Sequence, residues 1–178
     1  MKTFLVFFVF VNLFLLNPTN AKIISFDDEQ IQSPDTTAVK YKADIIDSTD
    51  YSIEFRASNG SRVNLGNWRG ENLLVIYAHS DCSYCMDLVN KYEAELQDTT
   101  LPVIVLFSGS DTTEIKEFIE ETSLKYPYYI DYKFQFRRKY AAPVVPVTFF
   151  INADGTAERI PGLKLKPIED LIRRINKS

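Results

Sequence analysis

The sequence predicts an α/β fold with a mixed central sheet flanked by helices and an N-terminal β-hairpin extension. Two continuous apolar runs, Leu73–Tyr77 and Pro102–Phe107, have the composition of strands covered on both faces. An amphipathic helical pattern follows each run, and this alternation is typical of a partly parallel sheet. Two later apolar runs flank a turn at Asp154-Gly155, which predicts an antiparallel pair near the end of the chain.

The composition is that of one ordinary globular domain. The chain has 178 residues, of which 46% are apolar and 25% charged. The net charge of −4 lacks the basic excess of a nucleic-acid-binding protein, so nucleic acid is not an expected partner. With one histidine and two cysteines, the chain has too few ligands for a His-rich metal site.

Residues 1–21 have the three-part layout of a secretory signal peptide: Lys2, an apolar run over Phe4–Leu16, and small residues up to Ala21. We expect cleavage after Ala21. The alternative is an uncleaved membrane anchor, although the run is shorter than the roughly 20 residues that a span needs. A signal peptide predicts that the protein is exported, either to the periplasm of a Gram-negative cell or into the medium. Disulfides persist in both places.

We expect residues 22–50 to form a polar N-terminal arm and residues 51–178 to form the domain. The domain begins with Tyr51–Arg56, which alternates apolar and polar residues as a half-buried strand does. Asn59-Gly60 is a strong hairpin turn, and Arg62–Leu65 is its predicted partner strand.

The helix after the first buried strand runs from about Cys82 to Gln97, with an apolar stripe along one face. The next helix has the same kind of stripe at Ile115, Phe118 and Ile119. The remaining predicted elements are a strand at Tyr128–Tyr132, a short helix at Phe134–Tyr140, strands at Val147–Ile151 and Ala157–Ile160, and a last helix that begins at Pro167.

The chemically informative segment is Cys82-Ser83-Tyr84-Cys85, at the end of a buried strand and the start of a helix. This spacing allows both sulfurs to meet in one disulfide across the first helical turn. Unpaired N–H groups at the helix N-terminus stabilise a thiolate, so Cys82 is the predicted nucleophile. Cys85 begins the apolar stripe and is the predicted resolving cysteine.

Three neighbours are candidate tuning residues. The Asp81 carboxylate beside Cys82 should raise the thiol pKa and oppose the effect of the helix. His79 is either a partly exposed polar residue or a charge that tunes Cys82, and Tyr84 lies between the cysteines.

Besides an inert pair of core thiols, two other interpretations of the cysteine pair stay open. The first is a structural disulfide, although a two-residue loop gains little chain entropy from cross-linking. The second is a thioredoxin-like module that holds copper or zinc on Cys82, Cys85 and His79. Structural zinc normally takes four protein ligands, so copper(I) on two thiolates is the more plausible form of that alternative.

The cysteine segment and two flanking stretches resemble a known family. Asn64–Tyr77 resembles the entry to the family's buried strand, and Val145–Gly155 resembles its cis-proline strand and Asp-Gly hairpin. Together these segments resemble thioredoxin-fold proteins, and more narrowly the exported thiol–disulfide oxidoreductases of the TlpA/ResA type. The resemblance extends from about residue 50 to the C-terminus.

The resemblance implies a thioredoxin-like fold and a thiol–disulfide oxidoreductase, with the reductase direction favoured. It implies that Pro146 is a cis-proline and that Val145 and Pro146 position the substrate chain. The partners are protein thiols or disulfides and a redox partner protein, and the chemistry needs no organic cofactor and no metal. A membrane is a partner only through an uncleaved signal segment.

The chain also departs from the family pattern. Asp81 replaces the usual Trp before the first cysteine, and Leu88 stands where some members have a proton-shuttling Glu. Ile76 occupies the position of the buried acid of thioredoxins. The Ser-Tyr dipeptide between the cysteines resembles the Xaa-Tyr dipeptides of exported disulfide isomerases.

Overall fold

The computed structural model describes residues 44–109, 111–162 and 165–177. In these residues eight strands form one sheet: β1 (Asp44–Ile46), β2 (Glu54–Ala57), β3 (Arg62–Asn64), β4 (Leu73–Ala78), β5 (Val103–Phe107), β6 (Tyr128–Ile130), β7 (Val147–Ile151) and β8 (Ala157–Pro161). The helices are α1 (Ser83–Glu95), α2 (Thr112–Thr122), α3 (Gln135–Lys139) and α4 (Leu165–Ile175). The predicted signal peptide lies outside the described residues.

The central strand β4 organises the sheet, whose order is β1-β8-β7-β4-β5-β6-β2-β3. It runs parallel to β5 and antiparallel to β7, and β6 runs parallel to β5. The carboxyl ends of β4, β5 and β6 therefore lie at the same edge of the sheet as the amino end of β7. The predicted mixed sheet flanked by helices is confirmed.

Apolar side chains cover both faces of β4, since all six of its residues are buried. Leu74 and Ile76 pack in one layer with apolar residues of α1, α2 and α4. Val75 and Tyr77 point to the opposite face, in a second layer that includes Phe136 of α3. This two-sided burial explains why β4 is a continuous apolar run instead of an alternating one.

Both ends of the sheet differ in detail from the sequence-based predictions. The strand expected at Tyr51–Arg56 begins only at Glu54; it pairs antiparallel with β3 and also with β6. At the other end, β1 pairs antiparallel with β8, so Asp44–Ile46 belongs to the sheet although it falls within the range assigned to the arm. No apolar alternation marks so short an edge strand.

The last helix begins at Leu165, whereas the sequence analysis predicted that it begins at Pro167. Pro167 lies in the first turn of α4, where a backbone N–H has no intrahelical partner. A proline is therefore tolerated there, and its position alone does not define the first residue of the helix.

Candidate active site

The two cysteines lie at the N-terminus of α1 and form a disulfide. Their Cα atoms are 5.2 Å apart. Cys82 is the N-cap residue, and its Sγ accepts a hydrogen bond from the backbone N–H of Cys85 at 3.2 Å. Cys85 is fully buried in the apolar layer, whereas Cys82 is half-buried. The local geometry thus makes Cys82 the more accessible sulfur and places it against backbone donors.

The loop between β4 and α1 holds the candidate tuning residues. His79 is half-buried, and its Nδ1 accepts a hydrogen bond from the backbone N–H of Asp81 at 3.2 Å. Asp81 and Tyr84 are exposed, on either side of Cys82 along the chain.

A contact from α2 anchors the same loop. The buried Ser80 donates its hydroxyl to the Glu114 carboxylate at 2.8 Å. Because Ser80 lies between His79 and Asp81, this contact helps to fix both neighbours relative to Cys82. No local sequence pattern marks Glu114, because it belongs to another helix.

Val145 and Pro146 lie at the same edge of the sheet as the cysteines. The peptide bond between them is cis. They immediately precede Val147, which opposes Tyr77 near the end of β4. Val145 is partly buried and contacts both apolar layers. The register of β7 against β4 therefore brings Val145, Pro146, Cys82 and Cys85 to one edge.

Gly162, which the sequence analysis did not single out, supports the Val145-Pro146 loop. Its backbone N–H donates to the Pro146 carbonyl oxygen at 3.0 Å. A Cβ atom at this position would lie 2.6 Å from that oxygen and 2.9 Å from the Pro146 carbonyl carbon. Such contacts are with backbone and cannot be relieved by rotating a side chain, so the close approach requires glycine.

Asp131 is a third residue without a sequence signal, and it positions α3. It is fully buried, and its carboxylate accepts hydrogen bonds from Tyr77 Oη at 3.1 Å and the backbone N–H of Arg137 at 3.0 Å. The backbone N–H of Phe136 also donates to it, at 3.3 Å. Asp131 therefore satisfies the first N–H groups of α3, the helix that leads into the Val145-Pro146 loop.

Tyrosine hydroxyls lie on both sides of the sheet near this edge. Burial raises the pKa of Tyr77 and of Tyr92 well above the ordinary value. Tyr92 Oη donates to Thr148 Oγ1 at 3.1 Å, and Thr148 opposes Ile76 in the sheet. Both phenols therefore stay protonated near neutral pH and act as hydrogen-bond donors within the core.

Within the part of the chain that the structure describes, no group of three His, Cys, Asp or Glu side chains is arranged to hold a metal ion. In that same part, no helix is both long and apolar enough to cross a membrane.

Comparison with known proteins identifies the family. The Redoxin family model matches residues 34–161. The chain belongs to the redoxin family. It is similar to the thiol–disulfide oxidoreductase ResA of Bacillus thuringiensis, with 22% identity over 65% of this chain and 70% of ResA. ResA of Bacillus cereus strain ZK is 23% identical over the same shares of the two chains.

Solved structures show the same fold. A secreted disulfide oxidoreductase of Mycobacterium tuberculosis matches with a TM-score of 0.59 and 13% identity, over 70% of this redoxin and 96% of that chain. The thioredoxin domain of a thiol-disulfide oxidoreductase of Bacteroides vulgatus matches with a TM-score of 0.56 and 17% identity, over 71% and 99%. The predicted thioredoxin-like fold and the resemblance to TlpA/ResA-type proteins are confirmed.

Gly162→Ala tests how tightly the Val145-Pro146 loop is held. We expect this change to lower the free energy of unfolding by about 1–3 kcal/mol, because the added methyl group overpacks the Pro146 backbone. Urea denaturation measures the loss. Gly60→Ala is the comparison, because nothing lies within 4 Å of a Cβ atom at that position and its cost comes only from the positive φ of 82°. A loss at Gly162 within about 0.5 kcal/mol of zero would contradict the steric argument.

Proposed function

We propose that this redoxin is an exported thiol–disulfide oxidoreductase that exchanges disulfides with protein substrates through Cys82 and Cys85. The observation that carries the proposal is the cysteine pair at the N-terminus of α1, on the edge where Val145 and Pro146 precede β7. Its membership in the redoxin family and its similarity to ResA support this reaction class.

The reductive half-reaction follows from the different burial of the two sulfurs. Reduced Cys82, as thiolate, attacks a substrate disulfide; a Cys82–substrate S–S bond forms and one substrate thiolate leaves. Cys85 then loses its proton and attacks Cys82 Sγ, which forms the Cys82–Cys85 disulfide and releases the second substrate thiolate. The protein loses two electrons, the substrate gains them, and the two protons end on the substrate sulfurs. The reverse sequence oxidises a dithiol substrate.

The N-cap position of Cys82 favours the attacking thiolate. The backbone N–H of Cys85 already donates to Cys82 Sγ, and the same donor would stabilise negative charge there. Asp81 opposes this effect because its carboxylate repels a neighbouring anion. His79 tunes the site through the Asp81 backbone that it contacts, and Tyr84 contributes an exposed ring between the cysteines.

Val145 and Pro146 position the substrate. A proline has no N–H to donate, so the Pro146 nitrogen makes no hydrogen bond to a neighbouring strand of the sheet. An extended substrate segment that lies along this loop has its cysteine at the edge where Cys82 lies. The fixed approach of Gly162 to Pro146 keeps the loop in place.

The two alternatives are less well supported. A metal-binding module would need both sulfurs as thiolates, whereas here they are joined in a disulfide, and Nδ1 of His79 contacts the Asp81 backbone. A structural disulfide between residues three apart closes a very small loop and adds little stability by cross-linking.

Single-cysteine variants test the exchange. With reduced protein and a disulfide-bonded peptide, Cys82→Ser should abolish exchange, whereas Cys85→Ser should accumulate a mixed disulfide with the peptide, seen by mass spectrometry. Ser83→Ala is the control and should exchange normally. If both cysteine variants are merely less stable and the wild type does not exchange, the disulfide is structural.

The direction of electron flow is proposed to be reductive. Titration of the cysteine pair in glutathione buffers should then give a reduction potential near or below about −250 mV. A potential of about −120 to −180 mV would instead identify an oxidase or isomerase.

Export is proposed from residues 1–21, and residues 22–50 are proposed to be an arm of which β1 alone pairs with the sheet of the domain. Sequencing of the N-terminus of protein recovered outside the cytoplasm should give Lys22 as the first residue. Recovery of a chain that still begins at Met1 in the membrane fraction would show an uncleaved anchor instead.

A further inference from the structure

Exposed large apolar side chains lie in the segments at the edge of the sheet that carries the disulfide. Among the described residues, four such side chains are exposed, and three of them lie in segments next to this edge of the sheet. Tyr84 is in the first turn of α1, Phe134 follows β6, and Val144 precedes the Val145-Pro146 loop. The fourth, Ile45, lies on the edge strand β1. Apolar surface gathered at one place on a protein marks an interaction site.

A cavity of about 190 Å³ opens beside Pro146. Its walls come from Ala141–Val144, Pro146 and Val147, with Arg159 at one side. A dry cavity of roughly 150 Å³ is large enough to hold benzene. The cavity beside Pro146 is therefore large enough for one apolar side chain of a partner.

The charges at this edge are divided between the two faces of the sheet. On one face, α3 carries the exposed bases Arg137, Arg138 and Lys139, although the chain as a whole has a net charge of −4. On the face of α1 and α2, the exposed residues at the starts of the two helices include the acids Asp81, Asp111 and Glu114. A charged partner is therefore oriented by this surface as well as attracted to it.

Arg137 joins the basic side to the cavity. Its Nη2 donates to the Pro143 carbonyl oxygen at 3.4 Å, and its Cζ lies 6.0 Å from the centre of the Phe134 ring. The guanidinium thus lies between an exposed aromatic ring and the loop that lines the cavity. An apolar side chain in the cavity would have its neighbours along the chain within reach of Arg137.

We propose that the preferred substrate segment is extended and acidic, with a large apolar residue next to its cysteine. The apolar side chain enters the cavity beside Pro146, and carboxylates on the α3 side pair with Arg137. This inference rests on the proposed function and names the substrate class for that site. A basic segment would meet like charge along α3, which slows its association.

Four peptides, each used as a disulfide-linked dimer, test the proposal. Each peptide has either Glu or Lys at both ends and either Leu or Gly on both sides of its single cysteine. The reduced protein is oxidised as it converts each peptide dimer to two peptide thiols. Chromatography measures the rate of this conversion. We expect Leu to exceed Gly by about tenfold in rate, from burial of one side chain. Glu should exceed Lys by about threefold to fivefold, with the difference reduced by salt.

Two surface variants locate the determinants. Arg137→Glu should reverse the preference for Glu over Lys, and Val144→Ser should reduce the preference for Leu over Gly. Arg62→Glu and Ile45→Ser are the matched controls, because they change an exposed base and an exposed apolar residue on the edge strands β3 and β1. Both controls should keep the wild-type ratios.

The outcomes separate this inference from the proposed function. Exchange at equal rates with all four peptides overturns the inference alone, and so do preferences that Arg137→Glu and Val144→Ser leave unchanged. Absence of exchange with every peptide overturns the proposed function and this inference with it. Rates per molecule that fall as the protein concentration rises would assign the cavity to a second copy of the chain and overturn the proposal.

Discussion

The pairing of β7 against β4 is the constraint on which the candidate site depends. Because β4 runs parallel to β5 and antiparallel to β7, its carboxyl end lies beside the amino end of β7. That single arrangement places a helix N-terminus carrying Cys82 next to the loop carrying Pro146. Neither segment could be brought to the other by local interactions, since they are far apart in the sequence.

Supporting contacts come from elements that themselves carry no chemistry. Glu114 of α2 holds Ser80, Asp131 holds the first turn of α3, and Gly162 lies against the Pro146 backbone. Each contact fixes a different side of the edge: the loop before Cys82, the helix that bears Arg137, and the loop that bears Pro146. Buried polar groups that are fully hydrogen-bonded make such an edge rigid.

The distribution of charge suggests how one edge can accept some partners and reject others. Thiol–disulfide exchange is chemically similar for every cysteine, so preference must come from the residues around the sulfurs. Here the bases of α3 and the acids near α2 lie on opposite faces of the sheet, with apolar surface between them. This arrangement acts on the orientation and association rate of a partner more than on the exchange step.

The sequence by itself determined the order of elements, the two-sided burial of β4 and the cysteine segment at the start of α1. Those features depend on local periodicity and on residues within one helical turn, which a sequence displays directly. Short or irregular elements were less well defined: β1 has too few residues for a pattern, and Pro167 is compatible with several positions in the first turn of α4.

Only the tertiary structure decided which distant residues support the site. Asp131, Glu114 and Gly162 have ordinary sequence surroundings, and their roles arise from atoms of other elements that pack against them. The same is true of the cavity beside Pro146 and of Arg137, which donates to the Pro143 carbonyl oxygen in its lining. Hydrogen-bond partners and close approaches depend on three-dimensional packing, and no spacing along the chain encodes them.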